Sequence, residues 1–465
     1  VFIPLYILIP VLLLAAVALA ERILLPGVRV VIRRKVRRLV DDLNARLRLQ
    51  LKPFKFTKKR IVEEMLVHDP EVAEAASEYR EANGLSWDEV SDLVRAYARE
   101  IVPRFNVYLY YRPSHWLARR IARALYRVRV TFLDTRAVAA VDTNSNVIFV
   151  MNHRSNFDYL LVSYIVARIS AVSYAVGEWA RVWPLDTLIR RMGGYFVRRN
   201  TSDPLYRKVL ERYVQLSTES GVTQGIFPEG RLTRDGRLQE PRLGLLNYLL
   251  RRFDPEGSRD LIFIPVGINY DRVFEDRTQT LEIAGVRSRV SGFGAAVVTA
   301  RFVAKNVWLW VRGRLHRFGV ACVNFGVPLS VKAYITALGK DFRRLSAEEY
   351  RAEVQRLGST LMSEIARAVP VTPVALVAHV LVGLGEGASE GAVVAGVADQ
   401  TARLRECGAA LSHGRTSAED LARLGLRMLV LRRIVTHSDG ELRVEPDERV
   451  LLAYYANSIA HFFES

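Results

Sequence analysis

The chain is poor in cysteine and short of acid. Its only two cysteines, Cys322 and Cys407, stand far apart with no Cys-x-x-Cys spacing, which excludes a disulfide framework and a structural zinc site as the basis of the fold. The eight histidines are scattered, with no His-x-x-x-His or His-Glu pair at ligand spacing. A protein-bound catalytic metal therefore has no visible cage, and the chemistry is expected to need neither a metal nor a bound redox cofactor. Acidic residues number 49 against 67 Lys and Arg, leaving a net charge of +18. Such a deficit points to an anionic partner. Nucleic acid, an acidic membrane surface and phosphorylated small molecules all satisfy it, and charge alone does not choose. There is no internal repeat and no low-complexity tail.

The longest uncharged run opens the sequence. VFIPLYILIPVLLLAAVALA, residues 1–20, is long enough for a helix across ~30 Å of hydrocarbon, so residues 1–25 are expected to form a transmembrane anchor. A cleaved signal peptide is the alternative, since Ala18-Leu19-Ala20 precedes Glu21; against it, the run exceeds the usual apolar length of roughly 7–15 residues and no basic segment leads in. Arg29, Arg33, Arg34, Lys35, Arg37 and Arg38 follow. By the positive-inside rule they put the body on the cytoplasmic face, against anionic headgroups; the plainer alternative is a solvated basic helix face. VTPVALVAHVLVGLG, broken by Pro373 and Gly383, reads as a core helix rather than a second span.

A length of 465 residues exceeds the roughly 250–300 that one core supports, so two or three folded parts are expected. Residues 26–125 carry apolar positions at three- and four-residue spacing, with Asn83-Gly84 ending one helix and Ser86-Trp87-Asp88-Glu89 opening the next as a capping box. Over 126–345 short β-branched runs alternate with helical ones, which implies an α/β fold with a mostly parallel sheet flanked by helices. Residues 346–465 read as helices again. In α/β sheets, sites form beyond the carboxyl ends of the strands, and His153, Arg198 and Glu229 each fall just after a strand-like run.

The run VIFVMNHRSNFDYLLVSYIVARI, from Val147, turns a strand into a helix at a histidine and an aspartate. An Asp158 in the first helical turn is placed to hold one imidazole nitrogen of His153 and leave the other free as a base. The helix start also offers unpaired N–H groups for an oxyanion or a phosphate. The bland reading is that Ser155-Asn156-Phe157-Asp158 is simply a capping box. For Arg198 and Arg199 the bland reading is solvated charge, and for Glu229 it is an ion pair with a nearby arginine.

Taken in order, NHRSNFD, GGYFVRR, FPEGRLTR and IPVGINY resemble the four motif blocks of the glycerophospholipid acyltransferase family. The flanking WPLDTLIRRMGGYFVRRN and VNFGVPLSVKAYI are similar to its glycerol-3-phosphate acyltransferase branch. The resemblance covers roughly 129–335, a little under half the chain. It implies that His153 is the base and Asp158 its partner, that Arg199 and the Glu229-Gly230 segment bind glycerol phosphate, and that Pro265 shapes the acyl-chain end of the cleft. Guanidinium forks suit phosphate, which fits Arg198 and Arg199. In the third block Leu232 stands where the family has an arginine, which leaves Arg231, Arg234 or Arg237 to supply that contact.

The expected function is therefore transfer of a fatty acyl group from acyl-coenzyme A or acyl-carrier protein to glycerol 3-phosphate, giving lysophosphatidic acid, at a membrane with anionic lipids as partners. Acylation of lysophosphatidic acid or of dihydroxyacetone phosphate is the nearest alternative. A nucleic-acid-binding protein would need a basic recognition helix or aromatic-basic strands, and neither is present.

Overall fold

The computed structural model describes residues 59–105, 115–132, 134–166, 171–177, 181, 185–198, 201–283, 318–385, 387–414, 416–438 and 441–464. The expected anchor over 1–25, the basic cluster behind it and Arg199 lie outside the described residues. Among the described residues no helix is long and apolar enough to cross a membrane.

Among the described residues eight strands form one sheet: β1 (Arg127–Phe132), β2 (Asn146–Met151), β3 (Ser173–Gly177), β4 (Tyr195–Val197), β5 (Gln224–Ile226), β6 (Leu261–Tyr270), β7 (Val320–Phe325) and β8 (Leu329–Ser330). Their order is β1-β7-β6-β2-β5-β3-β4, with β8 also against β6. Strands β6, β2, β5, β3 and β4 run parallel to one another, and only the β6–β7 and β6–β8 ladders are antiparallel. Every residue of β2 and β6 is buried, as near-continuous apolar runs in a sheet covered on both faces must be.

Alternate side chains feed two cores. On one face Val147, Phe149, Ile264 and Ile268 pack with Leu161 and with Leu376, Leu429 and Tyr455 from the C-terminal part. On the other, Ile148, Val150 and Phe263 pack with Val90, Val94, Leu210 and Leu361. The helices between Lys59 and Ile101, with the helix Ala347–Ala368, thus lie on the second face, and the helices from Pro373 onward on the first.

The helix Pro70–Asn83 stops at Gly84 with φ 65°, and Ser86 and Glu89 make the expected capping box on the helix Trp87–Ile101. VTPVALVAHVLVGLG is a core helix, Pro373–Leu384, with eight buried residues. Asp271, just past β6, ties it down by accepting from the Val374 N–H as well as the Val320 N–H. Residues 346–465 are not wholly helical, because Val435–Ser438 (β9) and Glu441–Val444 (β10) pair antiparallel. The Asp439-Gly440 pair between them is the hairpin signal that the helical reading passed over.

Candidate active site

The parallel strands set the site. β2 ends at Met151, β5 at Ile226 and β4 at Val197, so His153, Glu229 and Arg198 all emerge at the carboxyl edge. A cleft of about 250 Å³ opens there, lined by His153, Tyr159, Phe227, Gly230, Arg198 and Arg242 among others.

His153 and Asp158 are 1% and 0% exposed. His153 Nδ1 lies 3.0 Å from Asp158 Oδ2, which also accepts from the N–H groups of Arg154 (2.8 Å) and Ser155 (2.9 Å). The other oxygen, Oδ1, accepts from the Tyr270 hydroxyl at 2.6 Å. Three other donors already converge on this carboxylate, which acts only as an acceptor, so Nδ1 carries the imidazole proton and Nε2 is the free base. Nε2 is buried and has no hydrogen-bond partner among the described residues. The ring is stacked on Phe227 at 4.1 Å and meets Tyr159 edge-on at 5.4 Å, which fixes its plane.

Asp158 therefore does both jobs that the sequence left open, closing the helix Phe157–Val166 and holding the histidine. The four amides that lead into the helix are, however, already spent. The Arg154 and Ser155 N–H groups go to Asp158, Asn156 N–H to Glu275 Oε1 and Phe157 N–H to Ser155 Oγ. A turn wound this tightly around a buried carboxylate spends its amides on neighbouring side chains, and none of these four is left for an oxyanion or phosphate.

Glu229 is 2% exposed and accepts from the His153 N–H at 2.9 Å rather than from an arginine. Burial pushes its carboxyl up to about 8. Glu275 accepts from Ser155 Oγ at 2.6 Å, and burial pushes it up to about 7.

The arginines sort differently from the expectation. Arg198 lines the cleft, but forks onto Glu100 at 2.9 and 2.7 Å between the rings of Tyr97 and Tyr206. That fork raises the Arg198 pKa further. Burial alone would raise Glu100, yet hydrogen bonds from Arg198 and Arg181 hold it below its ordinary value. Arg231, Arg234 and Arg237 are exposed and do not line the cleft, and Arg237 pairs with Glu464. Besides Arg198, the described arginines that line it are Arg207 and Arg242. Arg242 packs its stem on Gly230, and its N–H donates to Pro228 O.

Pro265 lies elsewhere, within β6 and opposite Val150, and its carbonyl accepts from Gly326 N–H. It faces the break between β7 and β8, where a strand residue without an N–H is tolerated. It does not line the cleft. Among the described residues no group of His, Cys, Asp and Glu is placed to hold a metal ion.

A buried His–Asp pair with a free imidazole nitrogen therefore stands at the carboxyl edge of a mostly parallel sheet, beside a cleft that three arginines line, an arrangement able to take the proton of a hydroxyl. Residues 127–269 match the family described as acyltransferase, and residues 307–465 match the glycerol-3-phosphate acyltransferase C-terminal region. Over these two stretches the chain is similar to the glycerol-3-phosphate acyltransferase branch of the acyltransferase family. It is similar to the glycerol-3-phosphate acyltransferase of Pseudomonas entomophila strain L48, 27% identical over 414 residues, which cover 86% of this chain and 48% of the relative. The enzyme of that name from Pseudomonas aeruginosa strain LESB58 is 28% identical over 413 residues, with the same two coverages. The chain spans about half the length of the curated relatives it matches.

Proposed function

We propose that the chain is a glycerol-3-phosphate O-acyltransferase, moving a fatty acyl group from a thioester of coenzyme A or acyl-carrier protein to glycerol 3-phosphate and releasing lysophosphatidic acid. The observation that carries this reading is the unpartnered Nε2 of His153, held as a base by Asp158. Nε2 takes the proton of the substrate hydroxyl as its oxygen attacks the thioester carbonyl. Asp158 stabilises the imidazolium so formed. The tetrahedral intermediate then collapses, the carbon–sulfur bond breaks, and the imidazolium returns its proton to the leaving thiolate. Oxygen gains the acyl group that sulfur loses, and no oxidant or reductant enters.

Arg198, Arg207 and Arg242 take the phosphate, since all three residues line the cleft that His153 shares. Val176, Val197, Ile226, Leu245 and Leu246 give the same cleft an apolar side for the acyl chain. The names of the relatives support glycerol 3-phosphate as the acceptor. The apolar run over 1–20 and the basic cluster after it support a membrane anchor with the catalytic part on the cytoplasmic face, against anionic lipids.

The test is an assay of purified protein in detergent with labelled glycerol 3-phosphate, dihydroxyacetone phosphate and lysophosphatidic acid, each against acyl-coenzyme A and acyl-carrier protein. Labelled lysophosphatidic acid from glycerol 3-phosphate is expected. Product from lysophosphatidic acid alone would overturn the assigned acceptor, and no product from any pair would overturn the activity.

A further inference from the structure

Arg154 sits between the base and the residue that caps it, yet its side chain leaves the site. Its N–H donates to Asp158 Oδ2, while Nη1 donates to the Gly236 carbonyl at 2.6 Å and the guanidinium lies 4.7 Å from the ring centre of Tyr454. Tyr454 belongs to the helix Arg449–Asn457, and Asn457 Nδ2 donates to the Asp235 carbonyl at 2.9 Å. Gly236 has φ +88°, and a Cβ there would meet the Tyr454 carbonyl oxygen at 1.9 Å. At its other side the same loop returns to the base, where the Thr233 N–H donates to His153 O at 3.1 Å. The loop that follows Glu229 is therefore held between His153 and the C-terminal helix, with Arg154 as the cross-piece.

The guanidinium is an expensive way to fill that space. Arg154 is 2% exposed, forms no ion pair closer than 4 Å among the described residues, and leaves Nε and Nη2 without partners. A buried cation of this kind usually costs stability, and an apolar replacement of similar volume is often neutral or better. Its charge does act on the site, drawing down the carboxyl of Glu229 against the rise that burial causes.

We infer that Arg154 is a positioning residue through which the C-terminal helix Arg449–Asn457 sets the placement of His153, Asp158 and the Glu229 loop. This rests on the acyl-transfer reading above for its kinetic test only. It gives the C-terminal region a part in catalysis without any of its residues touching substrate.

The experiment uses the full chain with Arg154→Met, Arg154→Lys, Tyr454→Leu and Tyr454→Phe. Arg154→Met is expected to fold and to melt close to the wild-type temperature, the lost Gly236 bond offsetting removal of a buried cation, while kcat falls ~10–100-fold, the scale of a small misplacement at the reacting centre, and KM for both substrates moves less than ~3-fold. Tyr454→Leu should lose kcat in the same way, Tyr454→Phe should keep it, and Arg154→Lys should recover part of it. Amide exchange over residues 228–243 should quicken in Arg154→Met and Tyr454→Leu, and this readout holds whatever the reaction proves to be. Folded Arg154→Met with unchanged exchange over the loop would overturn the inference, as would wild-type kcat in a protein that does transfer acyl groups. Loss of kcat in Arg154→Met that merely follows its unfolded fraction would overturn it as well.

Discussion

Replacing Asp158 by asparagine separates the charge of the site from its scaffold. Oδ2 accepts from His153 Nδ1, Arg154 N and Ser155 N, and Oδ1 accepts from Tyr270. The amide oxygen of asparagine can take the first three donors, while its NH2 faces the Tyr270 hydroxyl, which rotates to accept. The turn survives, and what disappears is one negative charge 3.0 Å from the imidazole. At an effective dielectric of ~20 that attraction is about 5 kcal/mol, or nearly four powers of ten in the step that forms the imidazolium. The kcat of Asp158→Asn should therefore fall by ~10³–10⁴, as in other oriented histidine bases, with melting by circular dichroism little changed. Asp158→Ala behaves differently. It strands four donors in a dry site at ~1–3 kcal/mol each, a total comparable with the ~5–15 kcal/mol that holds a domain together, so it should be recovered largely unfolded. A folded Asp158→Asn protein with kcat within ~10-fold of wild type would refute the argument that this charge supports the base.

Glu229→Gln keeps an acceptor for the His153 N–H and removes a titration. Burial lifts the Glu229 carboxyl from 4.5 to about 8, so between those values the folded state holds a proton that the unfolded state has lost, and its contribution to stability falls as pH rises through that window. In urea unfolding at a series of pH values, the variant should gain on wild type from about pH 4.5 to about pH 8 and then run parallel; a flat difference would contradict the assignment. Arg242→Ala removes a charge-assisted contact of ~1.5–3 kcal/mol and should raise KM for glycerol 3-phosphate ~10–100-fold with little change for the acyl donor, whereas Arg231→Ala, off the cleft, should change neither. Tyr270→Phe leaves Asp158 Oδ1 without its 2.6 Å donor and should cost ~1.5–3 kcal/mol in the urea midpoint; an unchanged midpoint would mean that the bond is not made.

What was legible in the sequence was local or periodic. The strand ending at Met151 and the helix beginning at Phe157 fall where the apolar pattern changes period, and five residues of spacing suffice to place Asp158 on His153. The blocks at Arg198 and Glu229 were legible through the strands before them. The partners that complete the site lie far off in sequence and carry no pattern. Tyr270 is 112 residues from Asp158, and Glu100 is 98 from Arg198. The third-block arginine was sought among the nearest candidates, but Arg231, Arg234 and Arg237 face outward, while Arg242 reaches the cleft because its stem crosses Gly230. Pro265 entered through the resemblance alone, and in the fold it stands within β6, off the cleft.

The central claim is that one imidazole nitrogen accepts the proton of the acceptor hydroxyl. His153→Ala leaves the main-chain contacts to Glu229 and Thr233 in place, so release of coenzyme thiol by the folded variant, with glycerol 3-phosphate saturating, measures that nitrogen alone. The account predicts a rate at least ~10³-fold below wild type across the pH range; wild-type release would contradict it.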